Sequence, residues 1–298
     1  MTVPLRHEGA GARATRPRWL AGLAVIGAFA ALTWLETRRP LRGAVEPKGR
    51  HVVRNLAVAG LSAATLRALE RPVVEPLAKQ VDRHGWGLLP RLGLPRPVET
   101  AAAVALMDYT LYLWHVLTHR VPLLWRLHRV HHMDLDLDAS TALRFHAVEM
   151  ALSVPWRAAQ VGLIGVRPGA LTLWQNLTLL SILFHHSNLR LPIRIERRLN
   201  RLIVTPRMHG IHHSIVPEET GSNWSSGLTV WDRLHGTLLQ DVPQRDVVIG
   251  VPDVRQPAEA TLGKALLAPV SAPPTDRLPD GRRPARPARS PRPTRLCP

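Results

Sequence analysis

Five histidines fall in one short run of this chain, at positions 115, 119, 128, 131 and 132, and the last spacing recurs at His209, His212 and His213. On an α-helix, residues three and four apart share a face, so each group of imidazoles is aimed at one point. Packing gives no reason to crowd ring nitrogens in this way. Crowded imidazoles disfavour protonation, and a shared cation held by neutral rings removes the conflict. The fold must therefore bring distant segments to one metal site. Of the 15 histidines, eleven lie between residues 115 and 213. The isolated ones, such as His7, His51 and His84, read as ordinary non-ligands.

Composition narrows the donors. The only cysteine is Cys297, which excludes an internal disulfide, a Cys-ligated zinc, an iron–sulfur cluster and thiol catalysis in the core. Ligands must come from His, Asp, Glu or Asn. No Glu stands inside a histidine pair, so the HExxH signature of zinc proteases is absent. A catalytic zinc uses about three protein ligands. Here the patterned groups supply eight histidines and His186 a ninth, enough for two metals. Imidazole suits Fe, Zn, Cu and Ni alike, so the donor type leaves the metal open. Asp134, Asp136, Asp138 and Glu149 are nearby carboxylates that could orient the rings.

Hydropathy points to a membrane. Trp19 to Leu35 is uncharged, mostly apolar and close to the lower limit for a span, with a signal peptide as the competing reading. Residues 55–70 form a second apolar stretch, and Thr100 to Leu117 a third that carries Asp108 and His115. Residues 147–166 and 170–184 read as a hairpin closed by Arg167-Pro168-Gly169. The basic stretch from Arg38 to Arg54 suits a cytoplasmic loop. The expected fold is all-α: an integral-membrane helical bundle of about four spans, with a cytoplasmic helical cap that carries a His-rich dimetal site. The net charge of +17 is concentrated partly in the last 22 residues, with seven arginines from Arg277 on. Such a segment cannot bury a core and reads as a solvated basic tail, with attraction to an anionic membrane surface as the sharper alternative. No nucleic-acid motif accompanies it.

Several runs agree with one family beyond their histidines. These are Asp108 to His132, Arg144-Phe145-His146, His186-Ser-Asn-Leu-Arg-Leu-Pro192, Thr205-Pro-Arg-Met-His209, Ile211-His-His213 and Trp231-Asp-Arg-Leu234. In this order they resemble the fatty acid hydroxylase / sterol desaturase superfamily over roughly residues 100 to 240. Leu35-Glu36 and Arg54-Asn-Leu56 resemble its bacterial members. The resemblance implies an inner-membrane oxidoreductase of bacterial type, its active site facing the cytoplasm. It would use two iron ions, O2 and an external electron donor of ferredoxin or cytochrome type to hydroxylate or desaturate a C–H bond of a lipid.

Carried over residue by residue, the implied ligands are His115, His119, His128, His131, His132, His186, His209, His212 and His213. His146, His185, Asp108 and Asn188 are the candidates for supporting them. The chain departs from the family pattern at Val116, at Trp224-Ser225 and at His235, none of which is an implied ligand. The implied division is a basic tail over 1–18, N-terminal spans and connection over 19–98, a catalytic domain over 99–250 and a disordered Pro/Arg-rich tail over 251–298. A zinc-binding membrane protein or hydrolase, and a lipid-binding member without turnover, are the competing readings.

Overall fold

The computed structural model describes residues 18–271 and 273–286; Cys297 and the tail residues 1–17 and 287–298 lie outside them. Among the described residues the regular structure is entirely helical, with only isolated β-bridges. The order is α1 (Arg18–Arg38), α2 (Lys48–Thr65), α3 (Arg71–His84), α4 (Leu88–Arg91), α5 (Arg96–Arg120), α6 (Pro122–His132), α7 (Ala147–Ile164), α8 (Pro168–His186), α9 (Ile193–Leu199), α10 (Pro206–His212), α11 (Pro217–Thr220), α12 (Val230–Leu234) and α13 (Leu262–Leu267).

A π-helical turn over Leu66–Glu70 joins α2 to α3 without a break. Pro72 and Pro76 lack the N–H that a regular ladder needs, and a wider turn ahead of them absorbs the mismatch. α3 ends on Gly85 and α7 on Gly165, both left-handed, at φ 65° and 84°. The two ends meet so closely that a Cβ on Gly87 would run into the Gly165 backbone. Helices α3, α5, α7 and α8 enclose a core of Val74, Ala78, Val81, Ala103, Met107, Val161 and Trp174.

Two features place the histidines. A single extended residue, Val121, separates α5 from α6, and Pro122 opens the new helix where its missing N–H costs nothing. The chain thus turns sharply just after His119 and comes back with His128, His131 and His132 on the last turns of α6. α8 ends at His186, and α10, opened by Pro206, carries His209 and His212 in its seven residues.

One stretch among the described residues, Lys48–Arg91, is long and apolar enough to cross a bilayer by length and composition, where about four spans were expected. Polar residues dilute three of the other stretches: Asp108 in α5, Glu149, Arg157 and Gln160 in α7, Gln175 and Asn176 in α8. The boundary at residue 250 also falls inside a packed unit. Val251, Val254, Ala260, Ala265 and Ala268 are buried against Val130, Met133 and Leu135 of the α6 end. Small apolar residues, which look weak in a proline-rich window, fill that interface.

Candidate metal centre

The histidines sort into two groups whose ring nitrogens each lie within 4.8 Å of one another: His115, His119, His128 and His132 in one, His131, His186, His209 and His213 in the other. The consecutive pairs therefore diverge, His132 to the first group and His131 to the second. The pair in and after α10 does the same. The His212 ring lies 4.6 Å from His115, 4.7 Å from His119 and 4.9 Å from His132, centre to centre, while His213 joins the second group. His132, His212 and His213 also cluster, and there the two groups abut.

Hydrogen bonds at Nδ1 fix several rings. His115 donates to the Trp224 carbonyl at 2.7 Å, His212 to the Ser222 carbonyl at 2.8 Å and His186 to the Ile182 carbonyl at 2.8 Å. His128 Nδ1 lies 2.8 Å from Glu149 Oε1, and both side chains are buried. A ring whose proton is held at Nδ1 presents a bare lone pair at Nε2. The Nε2 atoms of His119, His128, His132 and His212 are buried without any partner.

In the second group the nitrogens are in conflict without a cation. His186 Nε2 lies 3.0 Å from both His131 Nε2 and His209 Nε2, and His209 Nε2 lies 3.1 Å from His213 Nε2. His209 can donate to His186 or accept from His213 there, not both. A metal ion at the centre satisfies all four lone pairs. The donor set, all imidazole, and the orphaned buried nitrogens fit two such ions.

Electrostatics agrees. Burial, and then the neighbouring imidazoles, hold His131, His132, His209 and His213 well below the ordinary histidine pKa of 6.5. Burial brings His212 down to about 3. The rings stay neutral, the form that binds metal.

The supporting candidates are spread out. His185 is fully buried, its ring 4.1 Å from His209 and both nitrogens unpartnered, yet it is in neither group. His146 caps α7 by accepting from Val148 N, and its other nitrogen meets the Leu266 carbonyl. Asn188 clamps Arg42 in both directions at 2.9 Å. Asp108 accepts from Leu228 N at 2.9 Å and Trp231 Nε1 at 2.7 Å, fastening the 222–237 loop to α5. That loop in turn supplies the carbonyls that orient His115 and His212.

Of the four acidic candidates, Glu149 alone touches a histidine of the two groups. Asp134 binds His51, Asn55 and Thr141, Asp138 binds Ser140 and His51, and Asp136 accepts backbone N–H groups at residues 45 and 46. His51 is thus part of a buried network. Glu46, His51 and Asp134 lie close enough to hold a cation of their own, but Arg54 already neutralises Glu46 at 2.6 and 2.8 Å. The carbonyls of Ser222, Trp224 and Ile182 have no sequence signal, since every residue carries one.

A family model described as fatty acid hydroxylase matches residues 100–237, which include every histidine of both groups. This region belongs to the fatty acid hydroxylase superfamily. Among similar proteins, ornithine lipid hydroxylase OlsE of Rhizobium tropici is 28% identical over 161 residues, covering 53% of this chain and 46% of its own length. Alkylglycerol monooxygenase of Xenopus tropicalis is 28% identical over 143 residues, 48% of this chain and 30% of its own. A cholesterol 25-hydroxylase-like protein of Danio rerio is 32% identical over 143 residues, 47% of this chain and 55% of its own. The chain thus spans about half or less of the length of these relatives. No solved structure matches.

The departures from the hydroxylase pattern have a local logic. Arg120 lies over the Trp224 ring at 5.2 Å, and His235 stacks on Tyr112 at 5.0 Å. Asn223 adopts φ 53°, a left-handed position that asparagine tolerates, and its side chain bonds Met208 and Leu239 backbone.

Proposed function

We propose that the protein is an O2-dependent lipid hydroxylase that holds two irons, one in each histidine group. The carrying observation is the pair of largely buried imidazole clusters that share α6 and the α10 end and aim unpartnered nitrogens at two adjacent points. Two irons bound there would supply the redox chemistry for oxygenating an unactivated C–H bond with O2. The balance is one C–H bond converted to C–OH and one oxygen atom to water, with two electrons from a ferredoxin- or cytochrome-type donor and two protons. The relatives are named as hydroxylases and monooxygenases of an ornithine lipid, alkylglycerol and cholesterol. These names support hydroxylation over desaturation, and a lipid as substrate.

The chain's own residues do the rest. His115, His119, His128, His132 and His212 would hold one iron, and His131, His186, His209 and His213 the other. Glu149 and the carbonyls of Trp224, Ser222 and Ile182 keep protons at Nδ1, so Nε2 faces the metals. Burial of every histidine of the two groups but the half-buried His119 keeps bulk water from the reacting centre. Exposed Leu23, Ile26 and Trp34 on α1 and the apolar Lys48–Arg91 stretch support an integral-membrane protein. The arginines that follow α1 support a cytoplasmic centre.

The test is metal analysis of anaerobically purified protein, with lipid mass spectrometry of cells with and without the gene under 18O2. Two irons per chain and a labelled oxygen in a lipid are expected. Stoichiometric zinc in freshly active protein, or a lipid profile indifferent to the gene, would overturn the proposal.

A further inference from the structure

Away from the histidines, the segments that follow α1 and α8 run side by side. Pro40 bridges Leu189, Arg190 N donates to the Arg39 carbonyl and Leu41 N to the Asn188 carbonyl, both at 2.8 Å. With Asn188 clamping Arg42, this ribbon is fixed. It floors an open hollow of about 390 Å³ lined by Arg38, Arg39, Pro40, Arg190, Leu191 and Pro192.

The lining holds three guanidinium groups and no carboxylate. The acidic residues nearest in the chain are turned inward and engaged. Glu36 is buried and accepts from Lys48, Ala139 N and Asn188 N; Glu196 is buried and holds Arg207. Arg38 stacks over Trp34 at 5.4 Å, while the Arg39 and Arg190 side chains have no ion-pair partner among the described residues. Like charges gathered around a concavity raise the local potential for an anion. Guanidinium forks match phosphate oxygens in particular.

The surroundings select the kind of anion. Trp34 is 57% exposed, and Ile193 and Ile195, just past the hollow in sequence, are each 49% exposed. Tryptophan with arginine at the end of an apolar helix is the chemistry of a headgroup layer. An acidic protein partner would meet these apolar side chains with nothing to match them.

Resting on the membrane reading above, we propose that the hollow binds the phosphate of an anionic membrane lipid, with Arg39 and Arg190 on its oxygens. Trp34 lies against the lipid's apolar part. The test uses the full chain in mild detergent, titrated with short-chain phosphatidylglycerol or phosphatidylcholine and read by native mass spectrometry. The comparison is the Arg39→Gln/Arg190→Gln double variant.

Wild type is expected to retain phosphatidylglycerol over phosphatidylcholine. The variant is expected to bind it about thirty-fold more weakly, roughly 2 kcal/mol at 1.4 kcal/mol per tenfold. Its metal content should be unchanged, because both side chains are exposed. Millimolar inorganic phosphate should leave the lipid bound. Unchanged lipid affinity in the variant overturns the proposal. So does displacement by phosphate alone, or a variant that loses only an acidic carrier protein. Flotation with pure phosphatidylcholine vesicles reads the membrane assignment separately. A wild type that fails to float sinks that assignment, whereas one that floats while the variant keeps its lipid sinks the hollow alone.

Discussion

Glu149 touches one ring of the first group, and its value there is directional. Its carboxylate holds His128 Nδ1 at 2.8 Å and so fixes which nitrogen faces the metal. Partners of this kind typically govern metal affinity by 10–100-fold. Glu149→Gln should therefore weaken metal binding at the first group by about that factor while the second group keeps its ion, as read by chelator competition. The consecutive histidines allow a sharper contrast. His212→Ala should strip the first group and His213→Ala the second, each leaving a distinct one-metal spectrum. If either alanine removed both metals equally, the division into two groups would be wrong.

Acid should act on the same atoms. In the metal-free protein the folded pKa values of His131, His132, His209 and His213 lie well below 6.5, and that of His212 is about 3. Between these values and 6.5 the unfolded chain binds protons that the folded chain refuses. Stability therefore rises with pH across that window and is lost as pH falls below about 6.5. Denaturation of the apoprotein at several pH values should show more than one proton taken up on unfolding. Bound metal should move the loss to lower pH, because it competes with those protons.

At the scale of elements, the 222–237 loop joins α5 to the centre. Asp108 grips Leu228 N and Trp231 Nε1, and Asp232 grips the N–H groups of Trp224 and Ser225. Removing Asp108 leaves two part-buried donors without their acceptor, at up to about 1–3 kcal/mol each. Asp108→Ala should destabilise the protein by a few kcal/mol and loosen His115, whose ring depends on the Trp224 carbonyl. Asp108→Asn, which keeps an acceptor, should recover much of this in thermal unfolding and metal retention. The histidine spacing made the convergence of the rings legible, because it acts through local helix geometry. The carbonyls that orient the rings were not, since hydrogen bonds to backbone depend on which loop arrives. His51 looked solitary for the same reason: its partners Asp134 and Asp138 lie far off in sequence and meet it only by packing.

For the whole molecule, the segment after residue 250 decides whether the two histidine helices stay together. Gly250 N donates to the His213 carbonyl at 3.0 Å, and Asp253 pairs with Arg129 of α6. Val251 and Val254 then bury against Val130, Met133 and Leu135, next to His131 and His132. The segment thus ties α10 to α6 across both histidine groups. A proline- and arginine-rich tail hid this, because composition averages over the few small apolar residues that pack. Each fully buried valine is worth about 1.5–3 kcal/mol, against a total stability of roughly 5–15 kcal/mol for a typical protein. A chain stopped at residue 250 should fail to retain either metal and should aggregate through the exposed α6 end. Val254→Ala, which removes two methyl groups, should cost roughly 1.6 kcal/mol at about 0.8 each and leave metal content intact. Val254→Asp places an unpaired charge in the same cluster and should behave like the truncation. Metal content and size-exclusion profiles of the three proteins check the ordering; a truncated chain that stays monodisperse with two metals would show that the segment only decorates the fold.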